Sequence, residues 1–189
     1  MMNKYERITI SGFGGQGVMM IGQMLAYAGN EAGLNSLWYP SYGPETRGGT
    51  ANCAVIISSE YINSPVFSKA NALIAMNKPS LDRFYQKVQH DGIIIYNSSL
   101  ITEEIKIDNV KVYGIPANDI ALQIGNNKVS NTVMLGAYLE LTNLFTEELI
   151  EKVLKIFLGE GKAALVGVNI EAINAGRKFI QDKFTKESS

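Results

Sequence analysis

The sequence predicts an α/β protein on three observations. Short β-branched runs, such as Ile8-Thr9-Ile10, Cys53 to Ile57 and Gly92-Ile93-Ile94-Ile95-Tyr96, alternate with stretches of helical periodicity. Several of those runs are apolar at consecutive positions, which suits strands covered on both faces. The first run passes straight into a glycine-rich turn and an apolar helix, the order found where a doubly wound sheet receives a ligand. Together they imply a three-layer, Rossmann-like open sheet, mostly parallel, with helices on both faces.

A chain of 189 residues is long enough to bury roughly 70% of its unfolded surface in one core. One domain over residues 1–189 is therefore expected, with a frayed charged tail from about 184 to 189. A formal net charge of −1 gives no electrostatic footprint for nucleic acid or an anionic membrane, so neither partner is expected. Cys53 is the single cysteine; it excludes an internal disulfide and cannot alone build a zinc or iron–sulfur site. The N-terminal residues lack the apolar core of a signal peptide, and no apolar run reaches membrane-spanning length, so a reducing cytoplasmic setting is expected. The lone histidine, His90, lies in a polar Gln89-His90-Asp91-Gly92 stretch that reads as a solvated turn without a nucleophile or acid placed beside it.

The first strand, Ile8-Thr9-Ile10-Ser11, runs into Gly12-Phe13-Gly14-Gly15-Gln16-Gly17, with glycines at 12, 14 and 17 on the G-x-G-x-x-G spacing. One glycine permits the turn, one permits close approach, and one lets helix and strand pack. The helix from Val18 to about Ala32 presents unpaired N–H groups and a positive dipole end, a seat for a phosphate or carboxylate, and Gln16 adds an amide there. The competing, lesser reading is that these glycines serve only the close packing of the first strand against its helix. A dinucleotide reading also needs an acid at the end of the second strand, and Ser36 to Tyr42 contains none, which argues against bound NAD.

Gly33 stops the first helix in the left-handed position. A second strand, about Ser36 to Tyr39, leads into Pro40-Ser41-Tyr42-Gly43-Pro44-Glu45-Thr46-Arg47-Gly48-Gly49-Thr50. This loop is stiffened by two prolines and centred on the Glu45 and Arg47 charges. In an open sheet the loops leaving the carboxyl ends of neighbouring strands gather on one edge, so this loop and the glycine turn should meet.

A buried strand spans Ala51 to Ile57. Ser58-Ser59-Glu60 then reads as a turn from which Tyr61-Ile62 could pair back, leaving the sheet either wholly parallel or mixed. Ala72 to Met76 is another buried strand, and Pro79 fits the first turn of a helix reaching about Val88. Gly92 to Tyr96 and Val110 to Ile115 complete the strands, the last alternating like an edge. Pro116 to Asp119 opens a short helix ending at Gly125.

A helix from Ser130 or Asn131, either a suitable N-cap, runs to about Phe145 and is apolar nearly all round, so it belongs in the core or beneath another chain. Gly136 within it implies the close approach of another element. Thr146-Glu147-Glu148 caps a helix to about Leu158 with a stripe of Ile150, Val153, Leu154 and Phe157. The last helix is placed near Asn169 to Phe184. Cys53, inside an apolar strand, reads as a small core hydrophobe, and Met19 and Met20 read as packing.

Two motifs carry a family resemblance: Gly12-Phe13-Gly14-Gly15-Gln16-Gly17, and Pro40 through Thr50 continuing into Ala51-Asn52-Cys53. They are joined by Ala72 to Asn77 with Pro79-Ser80-Leu81, and by Asn131 to Gly136. The chain resembles, along nearly its whole length, the gamma subunit of the 2-oxoacid:ferredoxin oxidoreductases. The 2-oxoglutarate branch is the most similar and 2-oxoisovalerate next, with pyruvate and indolepyruvate as alternatives. A self-sufficient nucleotide-binding module is the competing class.

The resemblance implies a subunit of an enzyme that oxidatively decarboxylates a 2-oxoacid with coenzyme A to acyl-CoA, carbon dioxide and reduced ferredoxin. It places thiamine diphosphate and magnesium between alpha and beta chains, and iron–sulfur clusters in the beta chain and a ferredoxin-like delta chain. The gamma-like chain then binds no cofactor alone, carries no catalytic residue or metal, and is inactive in isolation. Its expected contributions are an anion- or CoA-facing turn of Gly12, Gly14, Gly15, Gln16 and Gly17. Arg47 would serve as a contact for a CoA phosphate or the substrate carboxylate, since a guanidinium offers a fixed fork of donors. Tyr42, Gly43, Pro44, Glu45, Arg47, Gly48 and Gly49 would form a partner-facing surface, in which Glu45 and Arg47 are alternatively a purely structural ion pair.

Overall fold

A computed structural model describes residues 5–42, 50–159 and 162–185. The chain begins with β1 (Tyr5–Phe13), α1 (Val18–Glu31) and the pair β2 (Asn35–Tyr42) and β3 (Thr50–Ser58). It continues through β4 (Ala70–Ala75), α2 (Lys78–Phe84), β5 (Val88–Asn97), β6 (Lys111–Ile115) and α3 (Ala117–Gln123), and ends with α4 (Ser130–Thr142), α5 (Glu147–Leu158) and α6 (Ala163–Ile180).

The strands form one sheet in the order β2-β3-β1-β4-β5-β6. β3 runs antiparallel to both neighbours, whereas β1, β4, β5 and β6 pair in parallel. The sheet is therefore mixed, through β3 and not through Tyr61-Ile62, which lie in a segment without strand structure. There the Ser58 hydroxyl accepts from the Glu60 amide and bends the chain away from further pairing. β2 extends three residues beyond the predicted end and carries Pro40 opposite Cys53; as an edge strand it can hold a residue that has no N–H. β6 is the other edge, as its alternation implies.

Alternate residues of the central strands feed two cores. Ile8, Ile10, Cys53, Val55, Ile74 and Ile95 face α1, α4, α5 and α6 in the larger core. Leu73, Ala75, Ile94 and Tyr96 face α2 in the smaller one, joined by Ile101. α4 is buried from Asn131 to Leu139, so its all-round apolar sequence serves the core. It lies against α6 so closely that a Cβ on Gly136 would meet the Ile173 carbonyl oxygen, and one on Gly176 the Val133 carbonyl oxygen. This identifies the approaching element that Gly136 implied.

Several boundaries differ from expectation. α2 is short and passes through a 3₁₀ turn, Tyr85–Lys87, into β5, which already includes His90. His90 is exposed, and the strand there is irregular, with Asp91 at φ 60° and a register shift against β4. α6 starts at Ala163, because Asn169 is an interior residue whose carboxamide bonds Thr132 Oγ1 (2.7 Å) and the Leu165 carbonyl (2.8 Å). Ile173 and Ile180 are buried and Ile170 half-buried. At the C-terminal end Phe184 packs edge-on against Tyr113 with centroids 5.0 Å apart; the rest of the predicted frayed tail, residues 186–189, lies outside the described residues.

Candidate functional site

The carboxyl ends of β1 and β4 lie side by side where the strand order reverses: the chain leaves β1 toward β2 and leaves β3 toward β4. Ligands of open α/β sheets bind at such a point. Phe13 ends β1, and its carbonyl accepts the Gln16 amide (3.1 Å), closing the turn. Gln16 Oε1 folds back to accept the Phe13 N–H (2.7 Å) and also accepts Asn77 Nδ2 (2.7 Å), bridging the turn to the start of α2. Asn77 Oδ1 in turn accepts the Ser80 amide and caps α2. On the helix side, Asn131 Nδ2 donates to the Gly17 carbonyl (3.3 Å).

The glycines divide by role. A Cβ on Gly12 would lie 2.8 Å from both Gln16 Oε1 and Val18 Cγ2, and one on Gly17 would collide with the Asn131 carboxamide, so both serve close packing. Gly17 at φ 71° and Gly15 at φ 90° also need left-handed backbone. Gly14 and Gly15 are exposed, and a Cβ there would meet nothing within 4 Å, so the tip of the turn is open to a ligand or partner. α1 has neither an acidic residue in its first turn nor a side-chain cap, leaving its positive end uncompensated within the helix. That tip can receive an anion. Gln16 Oε1 is already committed to the Phe13 and Asn77 donors.

The second motif arrives at the same edge. Phe13 pairs with Thr50 and Tyr42 with Ala51, so the two residues that flank 43–49 stand at the same end of the sheet as the glycine turn, Thr50 directly beside it and Tyr42 one strand further. Tyr42 is 69% exposed there. Gly43, Pro44, Glu45, Arg47, Gly48 and Gly49 lie outside the described residues. The insertion of β3 moves the end of β2 one strand further from β1. The place where a dinucleotide's ribose would be read is therefore displaced by a strand spacing of about 5 Å.

Two residues of this site had no part in it assigned from sequence. Asn77 precedes Lys78-Pro79, a helix-start signal from which its capping could be read, but its second bond to Gln16 is a tertiary contact. Asn131 is not the N-cap of α4: that position is Val129, without a side-chain cap, and Asn131 sits in the first turn with its amide turned to Gly17. Nearby, the buried hydroxyls of Ser11 and Ser80 have no hydrogen-bond partner among the described residues.

Cys53 is fully buried, its Sγ 3.7 Å from the Val18 carbonyl oxygen, and burial pushes the thiol up to about 12. A thiol held neutral in this way is a core residue and not a nucleophile. Met19 and Met20 are partly buried against the same core. Among the described residues no group of three or more His, Cys, Asp or Glu side chains could hold a metal ion, and no helix is long and apolar enough to cross a membrane.

A mixed, doubly wound sheet with an exposed glycine turn at its switch point defines the chain as an α/β protein of the open-sheet class. The chain belongs to the pyruvate ferredoxin/flavodoxin oxidoreductase family, whose pattern matches residues 7–179. It is 40% identical over 183 residues to the ketoisovalerate oxidoreductase subunit VorA of Methanothermobacter thermautotrophicus, covering 96% of this chain but 38% of that one. This chain therefore spans well under half the length of that relative.

Among solved structures, the gamma subunit of a keto/oxoacid ferredoxin oxidoreductase from Geobacter sulfurreducens superposes with a TM-score of 0.78. It is 29% identical, over 92% of this chain and 96% of that one. The 2-oxoglutarate:ferredoxin oxidoreductase of Magnetococcus marinus, solved with 2-oxoglutarate, coenzyme A and succinyl-CoA, gives 0.86 at 25% identity, over 95% of this chain and 31% of that one. The chain is thus similar to gamma subunits of 2-oxoacid:ferredoxin oxidoreductases, as its two glycine-rich motifs imply.

Proposed function

We propose that this chain is the gamma-type subunit of a cytoplasmic 2-oxoacid:ferredoxin oxidoreductase and works only in complex with alpha and beta chains and a ferredoxin-like delta chain. The complex would convert a 2-oxoacid and coenzyme A to acyl-CoA and carbon dioxide, reducing ferredoxin. Thiamine diphosphate, magnesium and the iron–sulfur clusters would sit in the partner chains and supply the decarboxylation and electron transfer. The observation that carries this reading is the Phe13–Thr50 pairing, which with Tyr42–Ala51 brings the open glycine turn and the residues flanking 43–49 to one end of the sheet.

At that edge this chain's work would be binding and positioning. The exposed Gly14-Gly15 tip and the uncapped start of α1 would receive an anionic group of CoA or the face of a partner chain. Asn77 and Asn131 would hold the turn from its two sides. Arg47 would contact a CoA phosphate or the oxoacid carboxylate, with Glu45 holding it in place. In the reconstituted complex, Arg47→Ala should raise the KM for CoA or for the oxoacid about tenfold or more, the loss expected for a charge-assisted hydrogen bond. Unchanged KM values with normal assembly would leave Glu45 and Arg47 a structural pair or subunit contact.

The substrate rests on two observations that point differently. The higher identity to a ketoisovalerate chain supports a branched 2-oxoacid, while Ser41-Tyr42-Gly43-Pro44-Glu45 resembles the 2-oxoglutarate branch. CoA-dependent dye reduction by the native complex, purified anaerobically and offered 2-oxoisovalerate, 2-oxoglutarate, pyruvate and indolepyruvate, distinguishes them. If the chain purifies alone and is inert with all four, the subunit reading falls and nucleotide binding becomes the next hypothesis.

A further inference from the structure

The second face of the sheet is covered unevenly. Over β4 and β5 it is sealed by α2 and the Ile101 region. Over β1, β3 and β2 the covering is an extended segment around Pro65, Val66 and Phe67, which leaves a cavity of about 150 Å³ open to solvent. Its floor is Thr9, Asn52 and Ala54, and its walls include Tyr39, Val66, Phe67 and Phe84. Tyr39 is 49% and Val66 70% exposed, a poor arrangement for apolar side chains unless something covers them.

The charges closest to this cavity are positive, whereas the acids of α2 and its neighbourhood, Asp82 and Glu103, are paired with Lys78. Lys87 lines the cavity with its ammonium 5.4 Å from the centre of the Phe84 ring, and the Arg83 guanidinium stands 5.3 Å from the same ring. Arg83 is tethered by Thr50 Oγ1 (2.7 Å), and Lys69 donates to the Gln86 carbonyl (2.6 Å). Arg7, on the same face of β1, donates to the side chains of Asn71 and Gln89. Arg83, Lys69 and Arg7 are held by neutral acceptors and Lys87 by the Phe84 ring, and among the described residues none of the four has a carboxylate partner. No described residue lining the cavity is acidic. In a chain of net charge −1, this is segregation of positive charge around an apolar recess.

We propose that this recess is the docking site for an acidic segment of a partner polypeptide. One aliphatic or aromatic side chain of that segment would fill the space between Tyr39, Val66 and Phe67, and flanking carboxylates would meet Arg83, Lys87 and Lys69. Neutral tethers preposition the cations, so little side-chain freedom is lost on binding. The relatives of which this chain covers 38% or 31% carry much further polypeptide, consistent with a face kept for protein contact. The inference rests on the chain acting as a subunit, and it places a contact on the sheet's second face, away from the tip of the glycine turn.

The test uses the complex from the native host. A photocrosslinking residue, Val66→p-benzoylphenylalanine, is introduced into the full chain, and the captured peptide is sequenced. Separately, Val66→Asp and Lys87→Glu are compared with wild type for affinity to the co-purifying chain, with thermal unfolding as a folding control. Capture of a partner peptide containing two or more Asp or Glu residues, with at least tenfold weaker assembly of both folded variants, is expected. Wild-type assembly of both variants, a captured peptide without acidic residues, or capture abolished by nuclease would overturn the docking site. The last outcome would assign the face to nucleic acid. In all three the subunit reading stands if alpha and beta chains still accompany the wild type, whereas a wild-type chain that emerges alone overturns both.

Discussion

Gly17 meets two constraints that no other residue satisfies together. Its φ of 71° lies in the left-handed region, and the direction a Cβ would take is filled by the Asn131 carboxamide. Gly17→Ala should therefore cost about 1–3 kcal/mol, the range for a strained backbone conformation and an overpacked contact, measured as a lowered urea midpoint with unchanged m-value. The glycine spacing was legible in the sequence, including the likelihood that some members serve packing. The division of labour was not: Gly12 and Gly17 are packed from the sides while Gly14 and Gly15 stay open, and the difference is made by Gln16, Asn77 and Asn131, up to 114 residues away. Asn131 shows why. A residue type that favours an N-cap was instead drawn into a tertiary hydrogen bond, leaving Val129 to begin the helix.

At the scale of elements, the crossing of α4 and α6 is set by a reciprocal pair of glycines. Each lies against a carbonyl oxygen of the other helix, Gly136 against Ile173 and Gly176 against Val133, so the two helices are in backbone contact. Neither oxygen can move without disturbing its own helix. Gly136→Ala or Gly176→Ala should thus destabilise by about 1–3 kcal/mol or more, although alanine favours isolated helices by about 1 kcal/mol over glycine. A drop in thermal midpoint for either variant is the expected result; an increase would mean the helices can separate freely. Gly136 announced a close neighbour, but only the fold named it. The α5 start, by contrast, was local: Thr146 accepts the Leu149 amide as N-cap, and the Glu148 amide, with the Thr146 hydroxyl, holds the Glu148 carboxyl below its usual range in the first turn.

Across the whole molecule, α1 is tied to α5 by Glu31 and Lys152, 121 residues apart and 2.5 Å at closest approach. The Lys152 hydrogen bond lowers the Glu31 pKa, and the same pair raises that of Lys152. A lowered carboxyl value means that the pair's contribution is present above the ordinary glutamate range and is lost as pH falls through the folded value. The raised lysine value means that it is lost again as pH rises through the folded ammonium value. Glu31→Gln should accordingly lower the urea midpoint near neutral pH and converge with wild type only as pH falls through the lowered folded carboxyl value. A difference that persists unchanged into acid would show that the pair does not carry it.

The α/β class, the near-complete set of strands and helices, and the two glycine-rich motifs could all be read from the chain. Periodicity, turn chemistry and capping act over a few residues, and the family resemblance lies in those same short motifs. The place of β3 between β1 and β2, the burial of Asn169, the closure of the switch point by Gln16 and Asn77, and the cations gathered beside the second-face cavity could not. Each depends on which surfaces long-range packing brings together. A strand's neighbours are chosen by the core they jointly bury, and a buried carboxamide points wherever an unpaired backbone group must be satisfied.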